Sequence, residues 1–313
     1  MTLLLTRTDL EAVLDPGACL AALSEGFRTP AAEVPVAGQR VRTELPFPGT
    51  ATALIPGLLP GIEAYTVKVN AKFPGARPAL RGVICLHSGR DGELLALLDS
   101  ATVTAWRTGL AAAIGTHALA GPHFGPDSVV GVVGAGAQAE STLRGLAVLR
   151  PFGEVVVHDT DGGRAEAFAA RHGGRVVGSA PEVAALADTV LLATWSREPL
   201  LHLAETRAGQ SLISLGADEP GKRELGADLL EDAVVIVDDH ELARTMGALA
   251  GTGLAADATL GEVLRGEHPG WAGADDRTVY TPVGLPWQDL AVAWVAYGEA
   301  RRRGVGREVD LLG

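Results

Sequence analysis

The chain has 313 residues, 47% of them hydrophobic and 20% charged, with a formal net charge of −12. That length fits two domains with sizeable cores, and the composition excludes a disordered chain. The acidic balance argues against a nucleic-acid partner, which needs clustered positive charge. Cys19 and Cys85 make neither a disulfide framework nor a zinc site. The first residues lack the charged, apolar and cleavable pattern of a secretion signal, and no apolar run approaches the ~20 residues that cross a bilayer. A cytoplasmic protein without a membrane partner is therefore expected.

In chain order, a helix is expected from Asp15 to Phe27. Short alternating segments follow at Val34 to Leu45, Thr50 to Ile55, Ala64 to Asn70, Arg81 to His87 and Leu94 to Asp99. They are punctuated by turns at Pro74–Pro78 and Ser88–Gly92, so this first region reads as antiparallel α+β. A helix from Ala101 to Ala118 closes it, and Gly121 to Pro126 reads as a linker. Strand signals then alternate with helices: Ser128 to Val133, Val155 to His158, Thr189 to Thr194, Ser211 to Leu215, Val234 to Asp238 and Thr278 to Thr281. The intervening stretches, such as Arg164 to Arg171 and Pro181 to Ala187, read as helices. Alternation of this kind implies a doubly wound parallel sheet. The last helix, Trp287 to Arg303, has no strand signal after it and is expected to pack on the first region. Its terminal Arg301-Arg302-Arg303 complements the helix dipole. There are no internal repeats.

The most specific local pattern is Val129-Val-Gly-Val-Val-Gly134-Ala-Gly136-Ala-Gln-Ala139. A buried strand, a glycine turn and a helix start in that order make a seat for a dinucleotide pyrophosphate on backbone N–H groups. Gly134 allows the turn, Gly136 lets the backbone approach phosphates, and Ala139 lets the helix pack close. Gly134, Gly136, Ala137 and Gln138 are thus cofactor-binding candidates. Asp159 ends the next strand, roughly 20 positions after the turn, where a carboxylate binds the ribose hydroxyls and repels a 2′-phosphate. NAD(H) is the expected cofactor. Arg164, five residues on, could accept a phosphate but fits a helix-capping place better. Ligands of such sheets bind at strand carboxyl ends, where Gly134, Asp159, Thr194 and Asp218 fall.

The first region offers Arg42, Lys68 and Arg107 as cations. Lys68 sits in an apolar strand, where an ammonium is costly unless paired. Arg107 sits in a helix rich in Ala, Leu and Ile. Singly, such residues are more often surface charges; together they suit a carboxylate, with Arg able to bind it through two parallel bonds.

With these residues the chain resembles the ornithine cyclodeaminase/mu-crystallin family over nearly its whole length. The resemblance rests on Arg42-Thr-Glu-Leu-Pro, Lys68-Val-Asn, Leu98-Asp-Ser with Thr104-Ala-Trp-Arg107-Thr, and Gly134-Ala-Gly-Ala-Gln138. It continues in Gly216-Ala-Asp218-Glu-Pro-Gly-Lys-Arg-Glu224-Leu, Thr281-Pro-Val-Gly284 and Gln288-Asp289-Leu-Ala. It implies a Rossmann-type domain over 121–286. A substrate-binding and dimerisation domain would comprise 1–120 with 287–313, paired as a homodimer. It implies that Arg42, Lys68 and Arg107 bind the carboxylate of an amino or imino acid, with Lys68 also an acid/base near Cα. Asp218 would be the catalytic carboxylate, and the backbone near Val283 would line the pocket. Arg40, on the same strand face as Arg42, is the alternative to it. The activity implied first is an NAD(H)-dependent ornithine cyclodeaminase, forming proline and ammonia by hydride transfer at Cα. One departure counts against it: the family's glutamate three residues before the proline matching Pro56 is Ala53 here. A cyclic imine reductase, an alanine dehydrogenase or an N-alkyl amino acid synthase gains weight accordingly. A non-catalytic mu-crystallin-like binding protein is a further alternative.

Other residues carry blander readings. His87, His117 and His123 lack metal-ligand spacing, and no metal is expected. Trp106 and Trp287 fit a pocket wall or the core equally. Lys72 and Lys222 read as solvated, although Lys222 could order the loop around Asp218. Asp218 could also merely cap the turn from Pro220 to Glu224.

Overall fold

A computed structural model of the chain describes every residue except 37, 122–123, 220, 271–272, 274 and 312–313. The chain opens with β1 (Thr2–Leu5), α1 (Arg7–Val13), α2 (Pro16–Arg28), β2 (Val41–Glu44), β3 (Ala51–Gly57) and β4 (Ala64–Lys72). There follow β5 (Leu80–Ser88), β6 (Leu94–Asp99), α3 (Ser100–Leu119), β7 (Val130–Val133), α4 (Ala137–Leu149), β8 (Val155–His158) and α5 (Gly162–His172). The chain continues through β9 (Arg175–Val176), α6 (Ala180–Leu186), β10 (Thr189–Leu192), β11 (Ser211–Ser214), α7 (Ala227–Asp232), β12 (Val234–Val237) and α8 (His240–Thr245). It ends with β13 (Ala258–Thr259), α9 (Leu260–Leu264), β14 (Thr278–Tyr280), α10 (Pro286–Arg303) and β15 (Arg307–Val309). Two compact units result, one of 1–107 with 285–313 and one of 108–284. The division falls inside α3, not at the Gly121–Pro126 loop, part of which lies outside the described residues.

The first unit holds a seven-stranded sheet in the order β15-β1-β6-β5-β4-β3-β2. Strands β2 to β6 form an antiparallel meander, and β1 lies parallel to β6. In β4 the period-2 pattern sorts the side chains: Thr66, Lys68 and Asn70 are buried, whereas Tyr65, Val67 and Val69 turn to the more open face. Helix α10 packs on α2 and on β3, β4 and β5. Trp287 stacks edge-on to Phe27 with ring centroids 5.0 Å apart. Gly26 makes that approach possible, since a Cβ there would lie 2.3 Å from the Trp287 ring. Trp287 is therefore core, and buried Trp106 donates its indole N–H to Glu11. A strand does follow the last helix: β15 pairs antiparallel with β1, after Gly304 ends α10 in the left-handed region. Both pairing strands are short and lie at an edge, so their sequence pattern is weak.

The second unit is an eight-stranded sheet, β13-β12-β14-β11-β10-β7-β8-β9, with every pairing parallel. Strands β7, β10 and β11 are buried throughout, as their apolar runs require when helices cover both faces. Helices start on side-chain caps from Asp161, Ser179 and Asp239. The strands expected in this unit are present, each ending one to two residues early or on the expected residue. In the first unit only Val41–Glu44 of the expected Val34 to Leu45 segment is strand, and β3, β4 and β5 run one to two residues past their expected ends. Two-residue edge strands β9 and β13 were not foreseen, because two residues carry no periodicity.

Candidate functional site

Each unit carries its own group of candidate residues. In the second unit, β7 runs through Gly134 into α4. Gly134 holds φ +95°, and a Cβ there would lie 2.6 Å from the Ala193 carbonyl oxygen, so only glycine fits. Gly136 caps α4 with nothing within 4 Å of the position a Cβ would take. The first N–H groups of the helix, at Ala137 and Gln138, have no acceptor inside it and point the dipole's positive end outwards. Ala139 is fully buried, as close packing of helix on strand demands.

Asp159 has a structural task that its place in the sequence does not show. Its Oδ2 accepts from Ala135 N–H and its Oδ1 from Asp161 N–H, both at 2.8 Å, so it braces the glycine turn. A carboxylate offers about four lone-pair sites, so acceptor capacity remains for ribose hydroxyls. Arg164 lies 3.7 Å from Asp159 and 3.5 Å from Asp161, paired with carboxylates.

At the carboxyl ends of β10 and β11, Glu224 is the organising group. It is fully buried; Oε1 accepts from Thr194 N–H and Oγ1, and Oε2 accepts from Ser214 Oγ and Gly216 N–H. Burial pushes its carboxyl above the usual range, with the four donors pulling the other way. In the sequence Glu224 stands out only as part of the Gly216 to Glu224 motif. Its signal, a glutamate amid small and turn residues, shows nothing of the two strands it joins. Thr194 is thus held by Glu224. Asp218 follows β11 and accepts from Lys222 Nζ at 2.9 Å, while that ammonium lies 4.3 Å from the Trp195 ring centroid. Lys222 is buried, not solvated as its charge suggested. Pro220, in the turn that the alternative reading has Asp218 cap, lies outside the described residues. The backbone at Val283 is held by Asp238, which accepts from Val283 and Gly284 N–H.

In the first unit, Lys68 on β4 has a side chain only 1% exposed, and its Nζ lies 2.5 Å from Asp289 Oδ2. Arg107, 12% exposed, places Nε 3.4 Å from the other Asp289 oxygen and donates from Nη1 to Gln288 Oε1. Burial pushes the Lys68 ammonium down to about 8; Asp289 opposes this, and the Arg107 and Arg40 charges add to it. Arg107 Nε, Gln288 Nε2 and Asp289 Oδ1 are buried without a hydrogen-bond partner. Arg42 stands opposite Ala53, which stands opposite Asn70, so it shares the sheet face of Lys68; its guanidinium lies 3.8 Å from Glu44. Asp289 and Gln288 are the members that sequence reading quoted without assigning a role. They come from α10, some 180 residues beyond Arg107.

Among the described residues no group of His, Cys, Asp and Glu could hold a metal ion. His87 stacks on Tyr65 at 4.9 Å and contacts the Gly92 carbonyl; His123 lies outside the described residues. A cavity of about 360 Å³ opens at the amino edge of the second sheet, beside Thr189, Ser211 and Thr278 at strand starts. Ligands of doubly wound sheets bind at the opposite, carboxyl edge, so this cavity is not the nucleotide seat.

The model of the ornithine cyclodeaminase/mu-crystallin family matches residues 1–304. The chain belongs to that family. It is 30% identical to the alanine dehydrogenase of Archaeoglobus fulgidus, with 99% of each chain covered. It is 33% identical to the ketimine reductase mu-crystallin of Mus musculus over 75% of this chain and 76% of the relative. Among solved family structures, the Thermococcus litoralis Δ1-pyrroline-2-carboxylate reductase in complex with NADH and L-proline superposes with a TM-score of 0.90. That match is 26% identical and covers 98% of this chain and 100% of the other. The family match spans both units, so it covers the glycine turn and the buried cations alike.

Proposed function

We propose that the chain is an NAD(H)-dependent enzyme that reduces the imine of a small 2-imino carboxylic acid at Cα, or oxidises the matching amino acid in reverse. The observation that carries this reading is the buried cation set of Lys68 and Arg107, with Arg107 Nε and Gln288 Nε2 completing no hydrogen bond. Buried donors without partners are costly, and a carboxylate supplies both lone pairs and the opposite charge. Arg42, on the Lys68 face of the sheet, serves as a third cation, with Arg40 as its competitor.

The cofactor fits the second unit: Gly134 and Gly136 leave backbone room, and Asp159 offers a carboxylate to the ribose and favours NAD(H) over its 2′-phosphate analogue. NAD(H), when bound, supplies or removes the hydride at Cα. Arg107 and Lys68 orient the substrate through its carboxylate. Lys68, whose proton is held loosely for a lysine, gives up the proton that the nitrogen bonded to Cα takes as hydride reaches Cα, and takes it back in the oxidative direction. Asp218, with Lys222 steadying one oxygen, exchanges a proton with the substrate nitrogen. The backbone at Val283, fixed by Asp238, lines the substrate end of the second unit.

A diamino substrate needs an anion for its distal ammonium, and Ala53 stands where the family's glutamate would provide one. The relatives covering most of this chain include an alanine dehydrogenase and imine reductases. Absorbance of NADH on mixing decides the matter. Consumption with pyrroline-2-carboxylate, or with pyruvate plus ammonia, supports the reading. Proline and ammonia formed from ornithine at constant NADH would replace it by redox-neutral cyclodeamination. Cofactor binding with no turnover of any imino or amino acid would replace it by a binding role.

The open face of the first sheet fits a homodimer. Val41, Leu54 and Val69 are exposed and lie side by side across β2, β3 and β4. A row of exposed apolar residues on a sheet marks an interface, and the archaeal alanine dehydrogenase of 0.91 TM-score and 28% identity is described as a dimer with bound NAD.

A further inference from the structure

We propose that Asp289 is the positioning residue for Lys68: it fixes where the amine points and keeps its proton in place until turnover. The inference rests on the reading of Lys68 as an acid/base. Three observations carry it.

The first is geometry. Asp289 enters from the first turn of α10, a helix far away in sequence, and meets Lys68 Nζ at 2.5 Å with both side chains at most 3% exposed. Among the described residues that ammonium also donates to Thr104 Oγ1, at the longer distance of 3.5 Å. An amine with a long flexible stem has many rotamers, and one charged partner removes most of them.

The second is what surrounds the pair. The flanking register neighbours of Lys68, Ile55 in β3 and Ile84 in β5, are apolar. The charges that reach it are Asp289 from α10, Arg107 from α3 and Arg40 from the chain before β2. Asp289 alone among these favours the protonated amine. Remove it, and burial together with two guanidinium charges all favour the neutral amine.

The third is that Asp289 is not a closed structural pair. Its second oxygen lies 3.4 Å from Arg107 Nε, yet neither atom completes a hydrogen bond. One carboxylate therefore stands between two cations and leaves the set net positive. A purely structural bridge in a dry site is stabilising only when its remaining lone pairs are satisfied. Here an acceptor and a donor stay open beside the amine that is to exchange a proton. Gln288, one residue earlier, fixes Arg107 Nη1 and accepts from Leu285 N–H, so the start of α10 sets both cations at once.

The chain has three lysines, Lys68, Lys72 and Lys222, so the amine can be followed directly. The full-length protein labelled with 13Cε-lysine gives few enough signals to titrate one by one, and K68R assigns the buried one. Without substrate, the wild-type Lys68 signal is expected to titrate near pH 8, in line with its position at about 8. In Asp289→Asn its proton should bind on the order of tenfold or more weakly. A midpoint within a few tenths of the wild type overturns the proposal. Asp289→Glu keeps the charge but moves it by about one methylene, so it provides a second arm should the Asn variant fail to fold. It should hold the midpoint while lowering kcat at least about tenfold, with KM within about threefold. Unchanged kcat overturns the positioning role. The titration needs no turnover: if K68R retains full activity, the proposed function of Lys68 fails while the Asp289 measurement still stands on its own.

Discussion

Lys68 is costly for folding, and the same burial suits it to the proton exchange proposed for it. Its burial lowers the grip on its proton from an ordinary lysine's to about 8. In the reductive direction, where the ammonium donates, kcat/KM should fall as pH rises through about 8; in the oxidative direction it should rise over the same range. Folding stability follows the same proton. Between about 8 and the ordinary 10.5 the unfolded chain still holds a proton that the native one has released, so stability rises with pH across that window. Urea midpoints for wild type and Lys68→Met, measured across the window, should differ in slope. Arg107 belongs to the same set: Arg107→Ala removes a charge-assisted contact of about 1.5–3 kcal/mol, so substrate KM should rise ten- to hundredfold. NAD(H) affinity should hold, and a normal KM would make Arg107 structural. Asp218→Asn keeps the shape but removes the base and the charge that faces Lys222. Turnover should drop by about 10²–10⁴ while cofactor binding persists. An unstable but fully active Asn variant would sink the catalytic assignment in favour of a turn cap.

At the scale of elements, the ends of β10 and β11 are joined by one carboxylate. Four donors converge on Glu224, two to each oxygen. Glu224→Gln turns one oxygen into an amide that meets donors instead of accepting from them. Serine and threonine hydroxyls can rotate to compensate, but the N–H of Gly216 or Thr194 cannot. A loss of about 2–3 kcal/mol is expected, measured by chemical denaturation. The loop bearing Asp218 should loosen with it, seen as faster amide exchange across residues 216–219. A variant as stable as wild type would show that water substitutes for the carboxylate. The start of α10 is the other element with a double role. Pro286 opens the helix, Trp287 packs on Phe27 and Gly26, and Gln288 and Asp289 just after it leave the first turn for the cation set.

For the whole molecule, the open sheet face carries the largest consequence. Val41, Leu54 and Val69 are neighbours in register on three adjacent strands. A lysine in that row would be desolvated on association without a partner, a cost of several kcal/mol per ion. Leu54→Lys should therefore shift a dimer to monomer in light scattering, with the NAD(H) seat of the second unit intact. A wild-type protein that runs as a monomer at micromolar concentration would remove the dimer from the proposal. No described helix is long and apolar enough to cross a membrane.

By itself the sequence determined whatever depends on local order along the chain. Glycines 134 and 136 between a buried strand and a helix, with Asp159 at the end of the next strand, are local in sequence and in space, so the strand, glycine turn and helix proposed as the nucleotide seat were legible. So were the main strands of the parallel sheet, whose burial on both faces writes continuous apolar runs. Lys68 and Arg107 were legible as charges out of place in apolar elements. Tertiary structure alone decided their partners. Asp289 reaches Lys68 only because α10 returns to the first sheet after the whole second unit, and Glu224 meets Thr194 only where two parallel strands end side by side. The two bracing bonds of Asp159 and the burial of Lys222 against Trp195 are of the same kind. A charge's place in a sequence gives its sign, but its proton affinity and its use depend on what the fold brings within a few ångströms of it.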